Sequence, residues 1–546
     1  MVPMSAEGPP GTFAALRRRL FALLLTVQLV NATAVWSHVV TVQWMLTERG
    51  ESATVVSLAP AAMALPFLLL ALPVGAVVGF ASRERLQAVA MLASAVSAVV
   101  GALLGVAGID DAALLVGTVL VVGAALAVVG VAWQSLITEL VGRPMLGSAT
   151  VLDGAVYNVA RAVGPLVAGI GLGLAGSTST FLVVAGAFTA CGSVFLVVET
   201  RRPGRREPRR AILPDIVQAL RFAQYSPWTR RLLARMVLFG LPASALWALV
   251  SLVAHDRLGL DSRGFGVVMA LLGSGAVVAT FVLPPLRRRL PVPVFAAAGS
   301  SAYALTMLVL GTSTSPVLVG GALVLGGVAW VGVQSTWMML AHQAMPDWVR
   351  PRIIALLLFL FQGTQAVGAL LWGFVADLAG LPGALLAATM LMVLSVLVLL
   401  RAGLGSSVGI EPDLADVDAV LHGRLAAAGD GELEVRYEYA VPHPLRDAFG
   451  EAMGRLRMSR LRLGARDWLL APHPDEPDVF VETYRVLSRH DLVEQESVRL
   501  TVPEARLRTA VRAAATEVCG PLMSSAPARD PRRRADRGRT RRGSPR

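Results

Sequence analysis

The chain has 546 residues, 55% hydrophobic and 16% charged, with a mean hydropathy of +0.63. That apolar fraction is too high for a soluble protein of this length, and the apolar residues fall in runs near or above ~18 residues, so a polytopic membrane protein is expected. The net charge of +12 comes entirely from Arg, since the chain has no Lys, and these arginines sit mainly in short loops and a terminal tail, so nucleic acid is not an expected partner.

In chain order, the N-terminus (MVPMSAEGPPGTFAALRRRLFALLLTV) sets a basic patch before an apolar run, as a signal peptide does. The run continues through Trp36 with no small-residue cleavage site, and reads as an uncleaved first span. Twelve spans can be drawn, at about 20–45, 53–80, 86–106, 112–136, 150–174, 178–199, 232–254, 264–285, 293–312, 316–342, 352–376 and 382–401. Arg17-Arg18-Arg19, Arg83, Arg85, Arg143, a basic loop from Arg201 to Arg231, Arg287-Arg288-Arg289, Arg350 and Arg352 mark one side. The other side carries Glu48, Glu51, Asp110, Asp111, Asp256 and Asp261 with fewer Arg per loop. Positive loops stay inside, which places both termini in the cytoplasm and the chain in the cell membrane. The expected organisation is a six-helix half over 1–200, a cytoplasmic linker over 201–231 and a second six-helix half over 232–404. The linker reads as a solvated segment that also touches anionic lipid.

From about 405 the composition turns polar, and a cytoplasmic α+β extension of ferredoxin-like type is expected over 405–520. Its elements read as strands at Leu433–Tyr439, Ala465–Leu470 and Val479–Leu487, with helices at His443–Arg460 and Asp491–Leu500. An Arg-, Pro- and Ser-rich tail over 521–546 reads as disordered. The two cysteines, Cys191 and Cys519, imply no disulfide framework.

The stretch from Trp133 to Gly176 carries the sharpest signal. An apolar helix crosses a short polar turn and re-enters an apolar run that contains Asn158 and Arg161. At ~1.5 Å per residue, Arg161 lies roughly 18 Å into a hydrocarbon layer about 30 Å thick. A guanidinium there costs several kcal/mol unless it faces a watery cavity or a partner, for which Asp153 offers a carboxylate. Gly164-Pro165 follows, with small residues that let helices approach closely. The pattern returns downstream: Arg161-Ala-Val-Gly-Pro-Leu-Val-Ala-Gly aligns without gaps to Gln365-Ala-Val-Gly-Ala-Leu-Leu-Trp-Gly. Trp133 and Trp337 keep the same register, and Leu72-Pro73 echoes Leu283-Pro284 in a second one. Two related halves follow, as in transporters built from repeated bundles.

There is no P-loop and no Cys/His metal spacing, so neither a cofactor nor a metal is expected, nor an enzyme. A transporter needs a polar lining at mid-depth. Candidates are Gln28, Asn31, Trp36 and His38 in the first span, then Trp133, Gln134, Tyr157, Asn158 and Arg161, and from the second half Gln334, Trp337, Gln362 and Gln365. Aromatic and amide groups of this kind suit a bulky amphipathic solute. For coupling and gating, Asp153, Asp377 and His38 are the titratable candidates, with Arg83 and Arg85 in the second loop and Gly164-Pro165 in the fifth span.

Several segments resemble the major facilitator superfamily, in particular its bacterial transmembrane secretion effector branch, which includes enterobactin-exporter-like proteins. They are LPFLLLALPVGAVVG (65–79), AWQSLITELV (132–141), NVARAVGPLVAG (158–169), SALWALVSLVAHDRLGLDSRGFGVVMALLGSGAV (244–277), AW (329–330), PDWVRPR (346–352) and LWGFVADLAGL (371–381). The resemblance implies an all-α membrane protein of twelve transmembrane helices in two halves. It also implies proton-coupled efflux of a small amphipathic, siderophore-, antibiotic- or drug-like molecule. The segment 463–488 resembles the cytoplasmic extension of many members. Two departures stand out: the Asp that usually follows LPxG is Gly79 here, and Ser488 is followed by Arg489 rather than by a Trp- and His-rich helix. A transport-inactive scaffold whose extension binds partners is the rival reading, and an enzyme carried on a membrane anchor is a third.

Overall fold

A computed structural model describes residues 13–78, 82–109, 111–198, 212–402, 431–497 and 499–525. Gly79, residues 201–211 of the basic loop and the Arg-rich tail after 525 lie outside the described residues. The chain divides into two compact units, one built from 1–212, 231–340 and 354–404, the other from 213–230, 341–353 and 405–546.

The first unit is helical. Its elements are α1 (Arg19–Glu48), α2 (Ala53–Val78), α3 (Arg83–Ala107), α4 (Ala112–Val141) and α5 (Leu146–Val197). After α6 (Ile212–Tyr225) come α7 (Pro227–Leu252), α8 (Ser262–Arg289), α9 (Val292–Thr312), α10 (Pro316–Ala344) and α11 (Arg350–Arg401). Ten helices among the described residues are long and apolar enough to cross a membrane. A helix pairs the backbone polar groups of its interior within itself, which lets apolar runs of this length lie in lipid.

Ten helices stand where twelve runs are expected because α5 and α11 each take up two. Both are 52 residues long, and each is interrupted by one non-helical residue, Gly176 (φ 77°) and Gly380 (φ 74°). Positive φ favours glycine, and a single such residue turns the chain where the sequence suggests a longer loop. The two glycines occupy matched positions in the repeat, and the helices that flank them have matched ends. At the polar ends, Asp111 and Asp261 cap α4 and α8, accepting backbone N–H bonds from Ala113 and Leu114 and from Gly264.

The second unit holds the α+β extension. Strands β1 (Leu433–Ala440), β2 (Arg466–Pro472), β3 (Val479–Val486) and β4 (Glu517–Ser525) form one antiparallel sheet in the order β2-β3-β1-β4. Helix α12 (Arg446–Leu463) follows β1, and α13 (Arg489–Ser497) and α14 (Val502–Ala513) precede β4, which is the split β-α-β arrangement. The expected tail boundary at 520 falls inside β4. That strand escapes pattern reading because Gly520-Pro521 interrupts it, and the break is accommodated by a register shift opposite Arg436–Glu438. Between sheet and helices, buried Arg460 meets Glu482 (3.4 Å) and Glu496 (3.1 Å) and lies over Tyr484. Burial pushes the Glu496 carboxyl up, but Arg508 and Arg460 beside it hold it below the usual carboxylate range.

The segment read as a plain linker contains α6, and α6 belongs to this second unit. Phe222 of α6 meets Trp348 edge-on at 5.6 Å. Arg462 lies over Phe222 (5.9 Å), Arg499 lies over Trp348 (5.5 Å), and Arg221 donates to the Ala465 carbonyl.

Candidate functional site

The site is set by two helix crossings of the same design. Where α1 crosses α5, a Cβ on Gly164 would fall 2.5 Å from Trp36 Cβ and 2.8 Å from the Thr33 carbonyl. Only glycine fits, and Ser37 Oγ donates to the Gly164 carbonyl at 2.8 Å. Where α7 crosses α11, Gly368 plays the same part: its Cβ would fall 2.1 Å from Ser244 Oγ and 3.1 Å from the Leu241 carbonyl. Trp372 Nε1 donates to Leu241 O at 2.8 Å and Gln365 Nε2 to Gly240 O at 3.3 Å.

One turn before each crossing glycine the halves part company. Arg161 projects over three rings, with its Cζ 5.3 Å from Trp36, 5.0 Å from Tyr157 and 5.5 Å from Trp247. Each distance lies within cation–π range, worth about 0.5–2 kcal/mol. Trp36 and Trp247 share the register of Leu72-Pro73 and Leu283-Pro284, and their rings stand 5.6 Å apart. The two halves therefore meet through equivalent tryptophans, with a single guanidinium over both. From Trp247 the rings continue to Trp330 (5.6 Å), and from there to Tyr303, Phe239 and Phe361. Phe361 occupies the position in α11 that Tyr157 occupies in α5. Trp247, Trp330, Tyr303, Phe239 and Phe361 are not among the lining residues the sequence suggests. For Trp247 the signal is the second repeat register, which pairs it with Trp36; for Phe361 it is the first, which pairs it with Tyr157.

Asn158 and Gln362, a matched pair, are half-buried near the rings' own helical turns, and Gln334 is half-buried on α10. Other expected lining residues are taken up by packing. Trp133 is buried, stacks on Phe21 at 6.3 Å and donates its Nε1 to Asp153 Oδ1 at 2.7 Å. Gln134, exposed, donates to the other oxygen of Asp153 at 3.0 Å. Asp153 is thus held by two neutral donors, and Arg161 has no ion pair among the described residues, so the pairing offered by the sequence is not made. Trp337 is buried under Arg235 (5.7 Å) with its Nε1 unbonded; the position matching Asp153 is Leu357, also buried. Gln28 is buried and donates to Gln87 Oε1 at 3.3 Å, and Asn31 is buried beside it on α1. His38 is buried too, 5.2 Å from the Phe181 ring, with Nε2 3.0 Å from Thr118 Oγ1. Thr118 gives its own proton to Leu115 O, so His38 Nε2 is the donor. Gln28, Asn31 and His38 are thus buried among the helices of the first half.

Among the gating candidates, Arg83 forms an ion pair with Glu139, joining the start of α3 to the end of α4, while Arg85 is exposed. Gly164 is explained above, and Pro165 is buried beside it. Asp377 accepts from the backbone N–H of Ala53 (2.7 Å) and Thr54 (3.0 Å) and from the Thr54 hydroxyl, at the N-terminus of α2. At the matched place on the other side, Arg263 at the start of α8 donates to the Gly173 carbonyl at 2.7 Å. Gln43 Nε2 donates to Trp247 O (3.1 Å), and Thr47 donates to Ser251 Oγ (2.9 Å). A Cβ on Gly169 would lie 2.6 Å from the Ser262 carbonyl. All these contacts tie the two halves together, as latches would, at the end that carries residues 49–52 and 258–261.

A family model described as transmembrane secretion effector matches residues 10–524. The chain is 26% identical over 407 residues to the multidrug efflux pump Tap of Mycolicibacterium fortuitum, covering 69% of this chain and 94% of the pump. To the multidrug efflux pump Tap of Mycobacterium tuberculosis (strain ATCC 25618 / H37Rv) it is 24% identical over 412 residues, covering 72% and 96%. In fold it is similar to the nucleoside transporter NupG (TM-score 0.57, 11% identity, 70% of this chain and 98% of that one). It is also similar to a bacterial homologue of the human lysosomal transporter Spinster in an inward-facing, occupied conformation (TM-score 0.58, 12% identity, 72% and 97%). The chain belongs to the transmembrane secretion effector family, with the fold of major facilitator transporters.

Proposed function

We propose that the protein exports small amphipathic, drug-like molecules across the cell membrane by rocking its two halves about the Trp36–Trp247 contact. The observation that carries this reading is that contact itself: repeat-equivalent tryptophans meet between the halves, with an unpaired cation over them. A cargo seated there is held by both halves, and a motion of one against the other changes which side reaches it. The efflux pumps named above support the direction and the breadth of cargo. Twelve spans, counting both arms of α5 and of α11, return the chain to its starting side; the Arg-rich loops put both termini in the cytoplasm.

Protons supply the driving force in this reading, and Asp153 is the group that carries them. Its two partners, the Trp133 indole and the Gln134 amide, are neutral donors, so no fixed cation locks it as a carboxylate. The test is efflux of a fluorescent amphipathic dye from loaded cells. Wild type should clear it in a manner that a protonophore abolishes, and Trp247→Ala should reduce clearance to the level of cells without the protein. Unchanged efflux in Trp247→Ala would refute the site.

A further inference from the structure

We infer that the cargo carries a negative charge: Arg161 is the receptor for an anionic oxygen, a carboxylate or sulfonate borne on an aromatic body. The inference rests on the site proposed above and adds the chemistry of what enters it. Arg161 carries a guanidinium with five N–H donors in a planar fork and no acceptor. Among the described residues, none of its nitrogens makes a hydrogen bond or an ion pair with the protein, and of the three only Nε is shut away from solvent. The three rings contact the cation but accept none of those in-plane donors conventionally.

Among the described residues, no carboxylate forms an ion pair with Arg161. Of the carboxylates on the apolar helices, Glu139 pairs with Arg83, Asp377 caps α2, and Asp153 is engaged by Trp133 and Gln134. Glu48 ends α1 at the latched end, and Glu84 stands in the first turn of α3. A lone cation at mid-depth costs several kcal/mol, and the matched residue Gln365 shows that the fold does not need it, since a neutral amide serves there by binding Gly240 O. What Arg161 gains over Gln is a fork that fits a two-oxygen anion through two parallel bonds. Trp36 and Trp247 beside it offer ring surface to an aromatic body. A cationic solute meets repulsion at this place, and a neutral acceptor forgoes the charge-assisted strength that an anion gains from the fork.

Three probes with one aromatic body and different charge test this on the purified full chain in lipid nanodiscs, by calorimetric titration: 2-naphthoate, 2-naphthamide and 2-naphthylmethylammonium. Wild type should bind the carboxylate about tenfold or more tighter than either other probe. Arg161→Gln, which copies the second half, should bring the carboxylate down to the amide's affinity and so remove the preference between them. Arg161→Lys, with the charge but without the fork, should fall between. Equal binding of carboxylate and amide by wild type overturns the inference without any variant, as does an Arg161→Gln protein that keeps the carboxylate preference. Trp247→Ala separates the two proposals. If it weakens every probe and charge makes no difference, the site stands and the anion preference falls; if no probe responds to it, the site falls and takes the preference with it.

Discussion

Set α5 beside α11. Both run 52 residues, both turn at a glycine with positive φ, and both cross the first helix of their half at a glycine that leaves no room for a Cβ. The side chains at matched positions are another matter: Asp153 against Leu357, Tyr157 against Phe361, Arg161 against Gln365. In each pair α5 has the polar or charged member and α11 the plainer one. Repetition has kept what packing requires and released what packing does not, so the polar members mark where chemistry was added to a common frame.

The crossing glycines test the shared frame and should give the largest effect. At Gly164 the added methyl of Gly164→Ala meets Trp36 Cβ and a backbone carbonyl, neither of which can swing away, and a loss near the upper end of overpacking costs, about 3 kcal/mol, is expected. At Gly368 the nearest atom is a hydroxyl that can rotate, at the expense of its bond to Leu241 O. Gly368→Ala should therefore cost only about 1 kcal/mol. Thermal unfolding of the two variants in detergent decides; equal losses would show that the crossings are not tuned separately.

Asp153 sharpens the contrast in chemistry. Asp153→Leu makes the first half like the second and strands Trp133 Nε1, as Trp337 Nε1 is stranded already. A destabilisation of about 1–3 kcal/mol is expected, from the unmet donors. Asp153→Asn keeps an acceptor and should keep the fold, yet should run exchange of cargo down its own gradient while losing the response to an imposed pH gradient in vesicles. A retained response would remove Asp153 from the coupling.

The latches give the smallest effect. Asp377→Asn keeps one acceptor oxygen where the carboxylate supplies two, so it gives up part of the bonding to Ala53 and Thr54 together with the attraction of a carboxylate for a helix N-terminus, about 1 kcal/mol at this exposed end. Labelling of a cysteine placed at Gln43 should rise by a few-fold, since 1.4 kcal/mol is about a factor of ten in population. Arg263→Met removes the matched bond to Gly173 O and should act alike. A rise in one variant alone would mean that only one latch is closed in the membrane.

The repeat, the glycine crossings and the position of Arg161 are legible in the sequence because they are patterns of small or charged residues in an apolar background. The face of α4 is not. That helix is apolar nearly all round, so its period does not say that Trp133 turns inward to Phe21 while Gln134 stays exposed. Trp247 is hidden for a different reason. One tryptophan among ten in such a chain carries little information, and only the second repeat register sets it apart. Most of the extension's elements can be read from alternation and amphipathic spacing. α14 and β4 cannot, the latter because Gly520-Pro521 breaks its period.

The second unit gathers parts made at very different times. Phe222 and Trp348 leave the ribosome far ahead of Arg462 and Arg499, which cover them only when the chain is nearly complete. During that interval two aromatic surfaces wait uncovered on the chain. A chain cut short after the last apolar helix lacks both arginines and leaves the two rings without that cover.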